Sequence, residues 1–238
     1  MNICMKVLAI SCHPTTIEIL CAGTLAKYSK RGDSVTICHV SNGNKGGEEI
    51  QPEELGPIRN REAQESASII GAQCIGLDVN DLEVDENCRK LQDDVIDVIR
   101  KTAPDVIFTH SPHDYSPDLV AVSNLVINAS LKASMFHYST KEKAIDMAVP
   151  VFFMETFAGV GFVPEAYVDI SGTIETKIEM LWKHSAVLKW LLEKKNTDFE
   201  EFVLTVARFR GLQAGVKYAE AFVPHKAWMF QTCRHLLP

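Results

Sequence analysis

The sequence predicts an α/β fold: a single Rossmann-like domain with a mostly parallel sheet and flanking helices. Short apolar runs such as Val7–Ile10 contain no polar residue, which is typical of a strand buried on both faces. These runs alternate with segments whose apolar residues recur at helical spacing, the order expected of βαβ units. No stretch rich in Pro, Gly or Ser divides the chain, so we expect one domain over residues 1–238.

The first strand stops before Pro14, because proline has no N–H to donate to a neighbouring strand. A helix is predicted from about 17 to 30, with Thr15 or Thr16 as its cap. His13 therefore lies where the first strand gives way to the first helix. In open α/β sheets this is the edge at which ligands bind.

Two neighbours of His13 have their own predicted roles. Cys12 and His13 could form a nucleophile pair, but adjacent residues on an extended strand point to opposite faces, so we expect no direct contact. Glu18 lies one turn into the helix, near the same edge. We expect a structural role for Glu18, as an acceptor for backbone N–H groups or for an arginine.

The remaining elements follow from the same periodicities. Further strands are predicted at 34–40, 74–77, 105–109, 149–154 and 166–170, and helices at 52–71, 91–102 and 118–133. Two more helices are predicted from apolar stripes that begin at Ile174 and Phe199. The fourth predicted strand delivers His110 and His113 at its carboxyl end, and the fifth delivers Glu155.

Composition excludes several classes of protein. The chain of 238 residues is 46% hydrophobic, enough for a sizeable core, and its net charge of −7 argues against nucleic-acid binding. No apolar run approaches the roughly 20 residues of a membrane span. Seven scattered cysteines without a C-x-x-C pair, in a chain without a recognisable signal peptide, predict reduced thiols in a cytoplasmic protein.

Residues 12–18, C-H-P-T-T-I-E, resemble the signature A-H-P-D-D-x-E of the PIG-L/LmbE superfamily of zinc-dependent N-deacetylases. The His, Pro and Glu of that signature are present, and Thr15 and Thr16 stand in place of its two aspartates. The resemblance implies that Thr15 occupies the position of the general base. It also implies that His13 and Thr16 occupy the positions of two zinc ligands.

Residues 109–119 resemble a second motif of the superfamily, T-H-x-P-x-D-x-H-P-D-H. The matching residues are His110, Pro112, Asp114, Pro117 and Asp118. Ser116 and Leu119 stand where the motif has histidines. The resemblance implies that Ser116 occupies the position of an acid catalyst, that Leu119 occupies that of the third zinc ligand, and that Asp118 would orient the missing acid.

The resemblance extends to other pocket positions and over nearly the whole chain. The superfamily has an R-x-x-E-type segment whose arginine faces the substrate. In this chain Arg61, beside Glu62, is the better match for that arginine, and Arg59 is a second option. His184 lies in a K-x-H-x-S/Q-like stretch, either towards the pocket or at the edge of the core. Glu155 is expected to be the freest carboxylate near the site.

The chemistry of these positions predicts a lost activity. A catalytic zinc needs about three protein ligands and an open position for water. Of the three implied ligand positions only His13 can bind zinc, because Thr16 offers a neutral hydroxyl and Leu119 an alkyl group. Thr15 cannot act as a base near neutral pH. We therefore expect no metal cofactor and no deacetylase activity, with a pocket kept for a small polar ligand such as an amino-sugar conjugate.

Two alternatives stay open at this stage. His110 and His113 could join His13 in a rebuilt zinc site of an active, divergent hydrolase of N-acetylglucosamine-type conjugates. Alternatively, the chain could be a structural partner of an active relative.

We also expect a homo-oligomer, and an apolar C-terminal part that packs on its own domain or on a neighbouring subunit. The apolar residues concerned are Phe222, Val223, Trp228, Met229 and Phe230.

Overall fold

Seven strands form one sheet in the computed structural model, which describes residues 4–227 and 236–238. The strands are β1 (Lys6–Ser11), β2 (Ser34–Ser41), β3 (Gln73–Val79), β4 (Val106–Thr109), β5 (Val151–Met154), β6 (Ala166–Asp169) and β7 (Ala219–Pro224). Their order is β3-β2-β1-β4-β5-β7-β6, with β1 to β5 parallel and β7 antiparallel to both of its neighbours. The predicted fold, an α/β domain with a mostly parallel sheet and flanking helices, is confirmed.

Eight helices accompany the sheet over the described ranges. They are α1 (Thr16–Leu20), α2 (Ala22–Arg31), α3 (Pro52–Ile69), α4 (Arg89–Thr102), α5 (Pro117–Lys132), α6 (Ile174–Trp182), α7 (Ser185–Lys195) and α8 (Phe199–Ala214). None of them is long and apolar enough to cross a membrane.

The apolar strand β1 lies at the centre of the sheet and contributes to two core layers. Val7 and Ala9 belong to one layer, whereas Leu8 and Ile10 belong to the other, because successive side chains of a strand point to opposite faces. The first layer also contains residues of α1, α2 and α6, and the second contains residues of α4 and α5. This two-sided burial holds the carboxyl end of β1, and the residues that follow it, in a fixed place.

Strand β7 was not predicted. Its residues Ala219–Pro224 run between β5 and β6, and Phe222 is fully buried. The expected packing of Phe222 and Val223 on their own domain is therefore confirmed. Trp228, Met229 and Phe230 lie outside the described residues.

Two predicted helices are each divided in two. The helix predicted over 17–30 breaks at Cys21, whose φ of −147° is not helical, and forms α1 and α2. Thr15 stands at the cap position of α1, but its side chain makes no capping hydrogen bond. The helix predicted from Ile174 breaks before Ser185 into α6 and α7, where the side chain of His184 turns into the core.

Candidate functional site

The polar residues of interest follow four adjacent parallel strands. Cys12 and His13 follow β1, Ser41 ends β2, Asp81 follows β3, and Asp118 lies in the first turn of the helix after β4. Because the carboxyl ends of parallel strands meet at one edge, these side chains are gathered together. His13 lies at this edge, as the sequence predicts.

Three side chains surround the outer nitrogen of His13. His13 Nε2 lies 3.5 Å from Asp118 Oδ2, 3.6 Å from Asp81 Oδ1 and 3.6 Å from Cys12 Sγ. The side chain of His13 is 25% exposed, whereas those of Asp81 and Asp118 are each 7% exposed. We call these four residues the His13 cluster.

The contact between Cys12 and His13 contradicts the expectation that their side chains point apart. That expectation treated both residues as part of an extended strand. Strand β1 ends at Ser11, and Cys12 and His13 lie in the bend that follows, where the alternation of a strand no longer applies. Both side chains can therefore face the same space.

Backbone and hydroxyl donors fix the two carboxylates of the cluster. Asp81 Oδ1 accepts from Ser41 Oγ, and Asp81 Oδ2 accepts from the N–H of Lys45 at 3.1 Å. Asp118 Oδ2 accepts from the N–H of Leu82 at 2.7 Å. Burial raises the pKa of Asp118, but His13 and the N–H of Leu82 outweigh burial and hold that pKa below its ordinary value. Asp118 is therefore a carboxylate at neutral pH.

The thiol of Cys12 is in the opposite state. Burial, together with the negative charges of Asp118 and Asp81, raises the pKa of Cys12 well above its ordinary value. In the protein without a bound cation, Cys12 is therefore a neutral thiol at physiological pH.

Arg59 is the arginine that contacts the site. Its guanidinium is buried and donates to the carbonyls of Pro14 at 2.6 Å and Gly43 at 2.8 Å, and to Thr15 Oγ1 at 3.3 Å. Thr15 has a φ of +89°, a region that a β-branched residue rarely occupies, and Arg59 holds this strained turn in place. Arg61, the better match from sequence, is exposed.

The positions implied for zinc do not fit that ion. Leu119 belongs to the apolar core layer that contains Leu8 and Ile10, so it supplies no ligand atom. Thr16 is buried and offers a neutral hydroxyl. Only the imidazole of His13 remains at these positions, and one imidazole does not complete a zinc site.

The predicted three-histidine site is not assembled. His110 is buried, and its Nε2 accepts from the backbone N–H of Cys12 at 2.8 Å, which uses the lone pair of the neutral ring. Burial lowers the pKa of His110 to about 3, so its imidazole is neutral. His113 is exposed. Over residues 4–227 and 236–238, the ligand atoms that converge within 4.8 Å are those of Cys12, His13 and Asp118.

Glu18 and His184 form a separate, enclosed pair. His184 Nε2 lies 3.2 Å from Glu18 Oε1, which accepts from Ser66 Oγ at 2.6 Å, and both Glu18 and His184 are buried. Burial raises the pKa of Glu18, but His184 and Ser66 outweigh burial and lower that pKa to about 2. Glu18 therefore lies beside a histidine and accepts from a serine, rather than bonding the expected backbone groups or arginine, and His184 lies in the core.

Glu155 is not the free carboxylate that the sequence predicts. It is buried and accepts from Nε of Arg210 at 2.8 Å. Burial raises the pKa of Glu155, and the bond to Arg210 opposes that rise. Of the remaining predicted positions, Asp114 Oδ1 accepts from the N–H of Ser116 at 3.0 Å, and Ser116 makes no side-chain cap bond to α5.

Sequence reasoning missed Asp81 and the contact of Cys12. Asp81 lies in the turn after the third strand and is not among the predicted site residues. The signal was present, because that turn follows the carboxyl end of a strand adjacent to β2 and so reaches the same edge as His13.

Comparison with known structures supports the fold. The N,N'-diacetylchitobiose deacetylase from Pyrococcus horikoshii is 27% identical with a TM-score of 0.81, over 92% of this chain and 83% of that chain. The 4-carboxy-2-hydroxymuconate hydratase GalB from Pseudomonas putida KT2440 is 21% identical with a TM-score of 0.81, over 97% of this chain and 100% of that chain. A deacetylase of the teicoplanin biosynthetic pathway is 15% identical with a TM-score of 0.71, over 93% and 99%. The last two comparisons show a shared fold.

A family model covers more than half of the chain. The model of the PIG-L family, described as GlcNAc-PI de-N-acetylase, matches residues 8–130. This range contains β2 to β4, the last four residues of β1 and every member of the His13 cluster. The chain belongs to the PIG-L family.

Proposed function

We propose that this protein uses the PIG-L fold to bind a small polar ligand beside His13 without hydrolysing an N-acetyl group. The observation that carries the proposal is the placement of Leu119 in the apolar core, at the position of a family zinc ligand. The family position of the general base holds Thr15, whose hydroxyl accepts a hydrogen bond from Arg59.

The carboxylates of the cluster do not supply the missing base. A general base works best when its pKa lies near the operating pH. Asp118 has a pKa held below its ordinary value, so it is a weak proton acceptor at neutral pH. Asp81 is already bonded by Ser41 Oγ and the N–H of Lys45. Ser116, at the family position of the acid, has no acidic proton at this pH.

An amino-sugar conjugate is the ligand class that best matches the site. The cluster offers carboxylate acceptors from Asp81 and Asp118 and a partly exposed imidazole from His13, which suit hydroxyl or amine donors. The structurally similar diacetylchitobiose deacetylase acts on a sugar of this class, by its name. A fold shared with a hydratase shows that the scaffold alone does not fix the reaction.

A second candidate function is favoured by one observation. The ligand atoms of Cys12, His13 and Asp118 converge within 4.8 Å, so a metal could be held away from the family positions. On that basis the protein would be an active, divergent N-deacetylase. That function would still need a base that the site lacks.

The test is acetate release from an N-acetylglucosamine derivative, measured with and without added zinc. We expect no turnover by the native protein, and a saturable binding signal that His13→Ala weakens. Turnover that His13→Ala abolishes would overturn the proposal in favour of the active hydrolase. Co-purification with an active relative, without binding of the sugar, would instead favour the role of a structural partner.

Several expectations about surroundings and assembly remain predictions. They are a homo-oligomer, a cytoplasmic location, and no nucleic-acid or membrane partner. Of the described cysteines, Cys12, Cys21 and Cys38 are buried and none is paired in a disulfide, as expected of reduced thiols. Light scattering of the purified protein tests the homo-oligomer, for which exposed apolar side chains such as Phe136 and Val163 are the support.

A further inference from the structure

We propose that Cys12, His13 and Asp118 form a zinc-binding site, with Asp81 as the fourth ligand. This ligand set shares only His13 with the positions implied by the family motif. The proposal goes beyond the proposed function, since a bound zinc is compatible with a pocket that does not hydrolyse its ligand. With zinc in place, the small polar ligand would be bound by the carboxylate oxygens of Asp81 and Asp118 that do not contact the metal.

The first argument is the number of partners around one atom. His13 Nε2 has three polar neighbours at 3.5–3.6 Å. An imidazole nitrogen carries either one proton or one lone pair, so it can satisfy only one of them by hydrogen bonding. A cation at the centre of the cluster can bind all of them together.

The second argument is spacing. Zinc bonds of about 2.0–2.3 Å in a tetrahedron place neighbouring ligand atoms about 3.3–3.7 Å apart. The distances of 3.5 and 3.6 Å from His13 Nε2 to its neighbours fall in this interval. The ligand atoms of Cys12, His13 and Asp118 also lie within 4.8 Å of one another. Asp81 is close to His13 but outside that group, so its carboxylate would have to move towards the ion to become the fourth ligand.

The third argument is the chemistry of the donors. One thiol, one imidazole and two carboxylates match zinc, whereas calcium and magnesium prefer oxygen ligands alone. The carboxylates are also held in position from behind, Asp118 by the N–H of Leu82 and Asp81 by Ser41 Oγ. Such outer bonds orient ligands in known metal sites.

The fourth argument is charge and access. Asp81 and Asp118 are almost buried beside one imidazole. The buried guanidinium of Arg59 offsets part of the charge of Asp81, and the ammonium of Lys45 is engaged by Glu83 at 2.8 Å. A divalent cation would offset the two negative charges. His13 is a quarter exposed, so an ion can enter from solvent.

Four protein ligands also explain why zinc here would not restore hydrolysis. Catalytic zinc keeps an open position for water, whereas a site closed by four protein ligands is structural. A zinc ion held by the His13 cluster would fix the loop after β1 and the start of α5 relative to each other.

The experiment is a cobalt titration of the metal-free protein, followed by absorption spectroscopy. All proteins in this experiment carry Cys4→Ser and Cys88→Ser, because these two exposed thiols could bind cobalt themselves. Cys233, which lies outside the described residues, is also changed to Ser. We expect one equivalent of cobalt, thiolate-to-cobalt charge-transfer absorption, and displacement by zinc. Cys12→Ser should remove that absorption, and the matched control Cys74→Ser, at a half-buried thiol, should keep it.

Competition with a chromophoric zinc chelator supplies the affinities. Since loss of an outer-shell partner typically costs 10–100-fold, we expect Asp118→Asn to weaken zinc binding by at least about tenfold. Asp81→Asn should have the smaller effect. Circular dichroism shows which variants fold.

Two results would overturn the proposal. One is the absence of thiolate charge-transfer absorption when cobalt is added to the native protein. This measurement does not depend on the folding of any variant. The other is an absorption that Cys12→Ser leaves unchanged. Neither result bears on the acetate-release test, so failure of the metal site and failure of the proposed function can be told apart.

Discussion

Two groups of charged residues lie among the strands and helices of this protein, and they are balanced in different ways. Lys177 and Glu220 are 2% and 3% exposed, and Lys177 Nζ donates to Glu220 Oε1 and to the carbonyl of Ile19. The backbone N–H groups of Gly23 and Thr24 complete the shell of Glu220 at 2.9 and 2.7 Å. In the His13 cluster, two carboxylates share one imidazole.

The difference separates a structural group from a binding group. A buried charge that is paired and fully bonded holds elements together, here α6, α2 and β7. A group with excess negative charge and one partly exposed member gains stability only when something binds to it. The largest effects of mutation on stability should therefore come from the first group and the largest effects on binding from the second.

The largest expected effect is that of Glu220→Gln. This change leaves the ammonium of Lys177 buried without the carboxylate that bonds it directly, and breaking a buried pair in this way costs about 3–5 kcal/mol. Denaturant unfolding of the variant measures the loss.

A double-mutant cycle provides the control for this prediction. Lys177→Met combined with Glu220→Gln should cost clearly less than the sum of the two single changes, because no charge is then left unpaired. Additive losses would contradict the assignment of Lys177 and Glu220 as one structural unit.

The second effect concerns a further enclosed group, His39 and Glu18. Burial lowers the pKa of His39 to about 4, and its Nδ1 lies 2.9 Å from Ser11 Oγ. Below pH 6.5 His39 is protonated in the unfolded state but stays neutral in the folded state until about pH 4. The free energy of unfolding therefore falls between pH 6.5 and 4, by on the order of 3 kcal/mol. Glu18, with a pKa lowered to about 2, adds a second loss between pH 4.5 and 2.

His39→Gln isolates the first of these windows. The variant should show a flatter dependence of unfolding free energy on pH between 6.5 and 4. The loss below pH 4.5 should persist but become smaller, because the charge of His39 contributes to the lowered pKa of Glu18. An equal slope in both proteins over the upper window would show that His39 is not the source.

A third, smaller effect tests the loop that supports the His13 cluster. Gly43 has a φ of +74°, and an added Cβ would lie 2.5 Å from Cζ of Arg59. Gly43→Ala should destabilise the protein by about 1–3 kcal/mol through backbone strain and displacement of Arg59. Gly71→Ala is a matched control, because its φ is also positive, at +63°, but a Cβ there meets no atom within 4 Å. Equal losses of stability in the two variants would mean that displacement of Arg59 does not contribute to the effect of Gly43→Ala.

Periodicity predicted the parallel part of the fold and the place of His13, because β1 is buried on both faces and has a simple pattern. It could not predict β7, since that strand carries Glu220, whose partners Lys177, Gly23 and Thr24 are distant in sequence. The break at Cys21 likewise depends on packing between α1, α2 and α6 rather than on a local signal.

The candidate site was predictable in part. Strand ends identified His13, and the family motif identified the positions of Thr15, Thr16, Ser116 and Leu119. The motif did not indicate Asp81, which lies outside it, or show that Arg59 rather than Arg61 reaches the turn. Glu155 was misjudged because its partner Arg210 is 55 residues away.

The most direct test of the difference between the two groups is thermal unfolding of the native protein, Asp118→Asn and Glu220→Gln, each with and without zinc. Zinc at 100 times its dissociation constant should stabilise the native protein by about 2.7 kcal/mol. Asp118→Asn should unfold within roughly 1 kcal/mol of the native protein when metal-free, because the amide still accepts from Leu82 and repulsion of Asp81 is relieved. At the same zinc concentration its stabilisation should fall to about 1.4 kcal/mol or less, because its binding is at least about tenfold weaker. Glu220→Gln should be strongly destabilised when metal-free, but zinc should stabilise it as much as it stabilises the native protein. A zinc effect lost in Glu220→Gln and kept in Asp118→Asn would contradict the account.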